Sequence, residues 1–135
     1  MSISRYPDWQ SRLQAAIAAR QARPFEWGVQ DCCLFVCDCI EAMTGHDPAA
    51  DVRGYSTDRE AARLVRELGG MRAIGASRFG AEIAPAMAQV GDVGLVLHDG
   101  RESLALCGGT HWVAPGVESL AVLPLRSALA AWRAV

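Results

Sequence analysis

The chain has 135 residues, enough for one hydrophobic core and too few for two ordinary domains, so a single domain over residues 1–135 is expected. Apolar residues make up 51% and charged residues 21%, and a formal charge of -2 gives no basic excess for gripping phosphates, which argues against nucleic-acid binding. No apolar run approaches the ~20 residues of a membrane span, and no basic segment followed by an apolar one opens the chain, so the expectation is no membrane span and synthesis and first folding in the cytoplasm.

In chain order, residues 8–23 read as an amphipathic helix, with Trp9, Leu13, Ala16, Ile17 and Arg20 at three- and four-residue spacing and Pro24 as its stop. Residues 31–44 form a second helix that is apolar on most sides, through Cys33, Leu34, Phe35, Val36, Cys37, Ile40 and Met43. That pattern suits a central helix buried against a sheet, and Gly45 supplies its end. Thr57 with Glu60 predicts a capped third helix over residues 57–68, closed by Gly69 and Gly70. Residues 71–79 offer a short fourth helix as one reading, but the stretch to Pro85 is weakly patterned and is read as loop with a helical turn.

From Gly91 the period changes to that of strands. Residues 92–98, 103–107, 110–113 and 120–123 are short apolar runs, and Asp99-Gly100, Gly108-Gly109 and Pro115-Gly116 punctuate them as hairpin turns. Residues 127–133 read as a short amphipathic helix whose Leu129 and Trp132 seal one sheet edge. Helices first and a meander afterwards make an α+β domain, with the helices packed on an antiparallel sheet of about four strands.

Residues 24–36 carry the strongest chemical signal, because a loop rich in turn formers delivers a cysteine to the start of the apolar helix. Asp31 is a helix-capping residue type, and Cys32 then lies in the first turn, where the helix dipole favours negative charge. A thiol so placed can have its pKa lowered from about 8.5 towards neutrality, and the thiolate is the nucleophile. Five cysteines, four of them between positions 32 and 39, do not resemble a secreted disulfide framework, so reduced thiols are expected. A metal or iron–sulfur site built on Cys32, Cys33, Cys37, Cys39 and Cys107 is the weaker alternative. Four thiols along one helix cannot converge on one ion without bending it, and no CxxC pair is present. No metal or other cofactor is expected.

Phe25, Trp27, Gly28, Asp31, Cys32, Phe35 and Val36 resemble the active-site segment of the NlpC-type cell-wall endopeptidases, which are papain-like cysteine peptidases. In that family an aromatic residue, any residue, Trp or Tyr, Gly and a short loop lead into Asp-Cys-Ser-Gly-Phe-Val. Cys33 and Leu34 stand here where the family has Ser and Gly, and Val90-Gly91-Asp92-Val93 resembles its Gly-Asp-Leu strand start. The resemblance implies a papain-like (NlpC-type) core with Cys32 as nucleophile and a histidine base opening the following strand. At that position this chain has Ser103, which has no basicity near neutral pH, and general-base catalysis lost there is worth about 10²–10⁴-fold. His98, ending the preceding strand and lying across from Ser103 or Glu102, is one substitute base. His111 on the next strand, with Thr110 or Glu118 to orient it, is another, and His46 is a weaker third. The family's oxyanion-assisting tyrosine is replaced by Phe25.

Arg23-Pro24-Phe25-Glu26-Trp27-Gly28 with Asp31-Cys32-Cys33-Leu34-Phe35, Met43-Thr44-Gly45-His46-Asp47-Pro48 and the closing residues 124–133 are similar to a narrower group: tail-assembly or tail-tip proteins of tailed phages and prophages, related to the NlpC-type peptidases. That resemblance implies a virion component, assembled in the host bacterial cytoplasm and placed at the tail tip beside hub and central-fibre proteins. Two functions follow as expectations. One is a structural tail-tip part with a degenerate peptidase fold, which Ser103 and Phe25 favour. The other is a working endopeptidase or amidase that cleaves peptidoglycan stem peptides during DNA entry, with Cys32 as nucleophile and His111 or His98 as base.

Overall fold

The structure, a computed structural model, describes residues 4–134. Four helices come first, α1 (Trp9–Arg20), α2 (Cys32–Thr44), α3 (Asp58–Glu67) and α4 (Met71–Phe79), followed by strands β1 (Glu82–Ile83), β2 (Val93–His98), β3 (Arg101–Cys107), β4 (His111–Pro115), β5 (Leu120–Pro124) and β6 (Ala128–Trp132). The α+β class is as expected from the sequence. The sheet, however, has six strands in the order β1-β6-β2-β3-β4-β5, where about four were expected, and every pairing is antiparallel.

The extra strands have a non-local origin. Residues 128–132 pair with β2 and with β1 instead of forming the expected terminal helix. Five residues cannot decide between the two periods by themselves. The free edge of β2 decides, because its unpaired N–H and C=O groups gain ladder partners there. Alternation then sends Ala130 and Trp132 to the helix-covered core and Ala131 to the other face, while Leu129 remains exposed. Residues 71–79 form a full helix, not a loop with one turn. Gly75 lets α4 lie flat on the Trp132 ring, which a Cβ would approach to 2.4 Å.

The main core lies between α2 and the sheet. Phe35, Val36, Cys39, Ile40 and Met43 pack against Val93, Leu95, Leu104, Leu106 and Val113, with Leu13 of α1 closing one side. A second cluster around Trp112 fills the opposite face with Val96, Ala105 and Ala131. The Gly-Asp strand start ties the chain ends together. Asp92 is buried, accepts the Gln89 amide at 2.8 Å, and lies 3.6 Å from Arg5 and 3.9 Å from Arg133.

Candidate functional site

One buried carboxylate ties the loop before α2 to the helix and to Tyr55. Asp31 is buried, and its Oδ1 accepts the Leu34 amide at 3.0 Å, the N-terminal cap expected from its residue type. Oδ2 accepts the Gly28 amide at 2.9 Å and the Tyr55 hydroxyl at 2.6 Å. Gly28 is required at this turn, since its φ is +81° and a Cβ would meet the Tyr55 carbonyl oxygen at 2.0 Å. Phe25 and Trp27 stack edge-to-face with centroids 4.7 Å apart and form the outer wall of the loop. Burial, and then the bond to Asp31, push the Tyr55 phenol well above its ordinary range, so it stays a protonated donor.

Cys32 follows the cap, with its sulfur against the edge of β3. β4 pairs only with Leu106 and Cys107, so the edge of β3 ahead of them is open, and there the Leu104 amide acts on the Cys32 sulfur and favours its ionised form. The neighbouring Cys33 thiol does most to hold the Cys32 pKa below its ordinary value. Burial opposes it, the Leu104 amide helps, and the Asp31 charge opposes. Cys33 moves in the other direction, so of the two thiols Cys32 ionises first. A cleft of about 940 Å³ opens over this sulfur between α3, the β2–β3 hairpin and the turn after β4, with Trp27, Arg66, His98, Glu102 and Ser103 on its walls. Beside it, α2, α3 and α4 enclose a smaller apolar cavity of about 60 Å³ lined by Cys32, Cys33, Leu64, Leu68, Met71 and Phe79.

Cys32 and Ser103 therefore share one cleft, but no imidazole stands beside the sulfur. His98 lines the same cleft, yet it pairs with Arg101, not with Ser103 or Glu102. That register leaves it three residues from Leu104, about 10 Å along the strand, and its Nε2 is 3.6 Å from the Asp99 carboxylate. His111 is not on the cleft wall. It opens β4 opposite Pro124, at the end of β3 away from Leu104. Its ring lies on Gly108, where a Cβ would come within 2.5 Å of Nε2, and its Nδ1 is 3.2 Å from the Thr110 hydroxyl. The position expected for a substitute base is thus empty of His111. His46 is exposed beyond the far end of the 13-residue α2.

The cysteines do not converge either. Cys39 is in the main core and Cys37 packs with Leu34 and Ala49, and burial pushes each thiol up to about 12. Cys107 lies on the opposite face of the sheet. Among the described residues no group of three His, Cys, Asp or Glu side chains could hold a metal ion.

A family model described as "Domain of unknown function (DUF6950)" matches residues 4–134. The chain belongs to this family. No curated protein matches it. The match to the DUF6950 domain takes in every helix and strand, and with them Cys32, Asp31, Tyr55 and the cleft. Tyr55 is the site residue that the sequence did not disclose. It is 24 residues from Asp31, and its signal was an apolar-bodied, hydroxyl-bearing side chain in an otherwise polar loop. Chemically, the DUF6950 site offers an accessible cleft, a thiol at a helix N-terminus and an amide donor. Among the described residues no histidine hydrogen-bonds the Cys32 sulfur.

Proposed function

We propose that this DUF6950 domain is a papain-like, NlpC-type peptidase scaffold that has lost its general base and serves as a structural component of a phage tail tip. The observation that carries the loss of chemistry is the setting of the Cys32 sulfur, whose ionisation is influenced by Cys33, the Leu104 amide and Asp31 and by no imidazole, with Ser103 on the cleft wall. Support for the scaffold comes from the element order, with helices ahead of an antiparallel sheet and the cysteine at the head of the buried helix. Placement in the virion, beside hub and central-fibre proteins, rests on the likeness of residues 23–28, 31–35, 43–48 and 124–133 to tail-tip proteins.

The test is the pH dependence of Cys32 alkylation, resolved by peptide mass spectrometry in the wild type, His98→Ala and His111→Ala. The expected result is one apparent pKa shared by all three proteins, with no release of stem-peptide fragments from purified peptidoglycan. The second reading, a stem-peptide hydrolase, draws on His98 lining the Cys32 cleft. A rise in the Cys32 pKa on His98→Ala, together with wall cleavage that Cys32→Ser abolishes, would establish that reading instead. Particles induced from a lysogen encoding the chain should carry the protein in fixed ratio to the other tail proteins; its absence from them would remove the tail assignment.

A further inference from the structure

The sulfur atoms at the head of α2 come together with a third from α4, a grouping that neither peptidase chemistry nor core packing requires. The Cys33 Sγ lies 3.8 Å from the Met71 Sδ of α4, and Cys32 directly precedes Cys33 in the first turn of α2. All three side chains border the small apolar cavity under α3. Metal–thiolate bonds of about 2.3 Å place the ligands of a trigonal centre about 4.0 Å apart, close to the Cys33–Met71 spacing.

We propose that Cys32, Cys33 and Met71 form a low-coordinate binding site for a soft monovalent metal ion of the copper(I) class. The donor set is two thiols and a thioether, the combination that selects copper(I) over harder ions. Asp31, the adjacent carboxylate, does not compete for the ion, because its oxygens already accept Leu34, Gly28 and Tyr55. No third His, Cys, Asp or Glu among the described residues joins the pair, so the four-ligand shell of zinc cannot be completed. The apolar lining from Leu64, Leu68 and Phe79 limits water as a further ligand, which suits an ion content with two or three sulfurs. Binding displaces the protons of the two thiols to solvent, and no electron is transferred. The inference does not depend on whether the cleft has a general base.

The experiment is an anaerobic titration of the fully reduced protein with copper(I) in competition with bicinchoninate. One equivalent should bind, and its presence should protect both Cys32 and Cys33 from alkylation. Met71→Leu, which keeps the volume, should weaken binding by at least about tenfold, no less than loss of an outer-shell partner costs. Cys33→Ser should remove binding, and Cys37→Ala should leave it intact. Equal affinity in Met71→Leu and the wild type, survival of binding in Cys33→Ser, or uptake of several equivalents indifferent to both changes would each overturn the site. The last outcome would mean adventitious capture by thiols.

Discussion

Asp31→Asn separates the structural work of the cap from its effect on the thiol. The carboxylate accepts three donors, Leu34 N at 3.0 Å, Gly28 N at 2.9 Å and the Tyr55 hydroxyl at 2.6 Å. An asparagine keeps one oxygen. Its best orientation leaves that oxygen to Gly28 and Tyr55 and turns its NH₂ towards the Leu34 N–H, donor against donor. The lost cap costs about 1 kcal/mol and the buried unpaired amide about 1–3 kcal/mol more. A total near 3 kcal/mol, with a urea slope of about 2 kcal/mol/M for a small domain, moves the unfolding midpoint down by about 1.5 M. The Asp31 charge also opposes ionisation of Cys32. Its removal should therefore raise the thiolate fraction, so iodoacetamide labels Cys32 faster at pH 7 in a protein that is less stable. Tyr55→Phe, which removes one donor and no charge, should cost about 1 kcal/mol. An unchanged midpoint in Asp31→Asn, or slower labelling of Cys32 in the folded variant, would refute this account, the second by making Asp31 an activator of the thiol.

Alkaline pH should destabilise the domain through its buried thiols. Cys37 and Cys39 are pushed up to about 12 by burial, whereas an unfolded thiol titrates near 8.5, so from roughly pH 8.5 to 12 the native state holds protons that the unfolded chain has shed and stability falls as pH rises. Near pH 10 the loss is about 2 kcal/mol per thiol, read as a lower urea midpoint under reductant. A Cys37→Ala, Cys39→Ala double variant should show a flatter pH profile; an equally steep one would assign the effect elsewhere. Gly75→Ala drives a Cβ to 2.4 Å from the Trp132 ring and Gly94→Ala to 2.5 Å from the Trp112 ring, and each should lower stability by about 1–3 kcal/mol in thermal unfolding.

What the sequence disclosed was local. The cap at Asp31, the left-handed Gly45 at φ +78° and the Thr57–Glu60 pairing each act within a few residues, and the boundaries of α2 and α3 follow from them. The Asp99-Gly100 turn, with both residues at positive φ, likewise gave the β2–β3 hairpin. What the sequence concealed depends on distant partners. β6 exists because β2 has an edge to fill, and α4 gains its place from a glycine matched to Trp132, 57 positions on by the numbering. Tyr55 reaches Asp31 across a loop that no periodicity describes. His111 illustrates the hazard of reading one strand alone. Alternation puts it on the face of Val113, towards the helix, but the antiparallel turn at Gly108-Gly109 sets it at the wrong end of β3.

The groups that hold the site together are distinct from the group a hydrolase would need. Asp31, Gly28 and Tyr55 join the 24–31 loop, α2 and the segment before α3 into one wall, and damage to any of them costs folding energy. Ser103 sits half-buried where β3 and β4 diverge, outside both hydrophobic clusters of the sheet. A residue there can change with little effect on the core, since substitutions away from packed or hydrogen-bonded features stay within about 0.5 kcal/mol. Under the proposed reading, replacing an imidazole by serine at this position removes proton transfer and leaves the cap, the cleft and the thiol in place. The separation also works in reverse. Ser103→His should fold as the wild type does; faster Cys32 alkylation in it would show that the cleft they share brings position 103 within reach of the sulfur, and an unchanged rate would show that it does not.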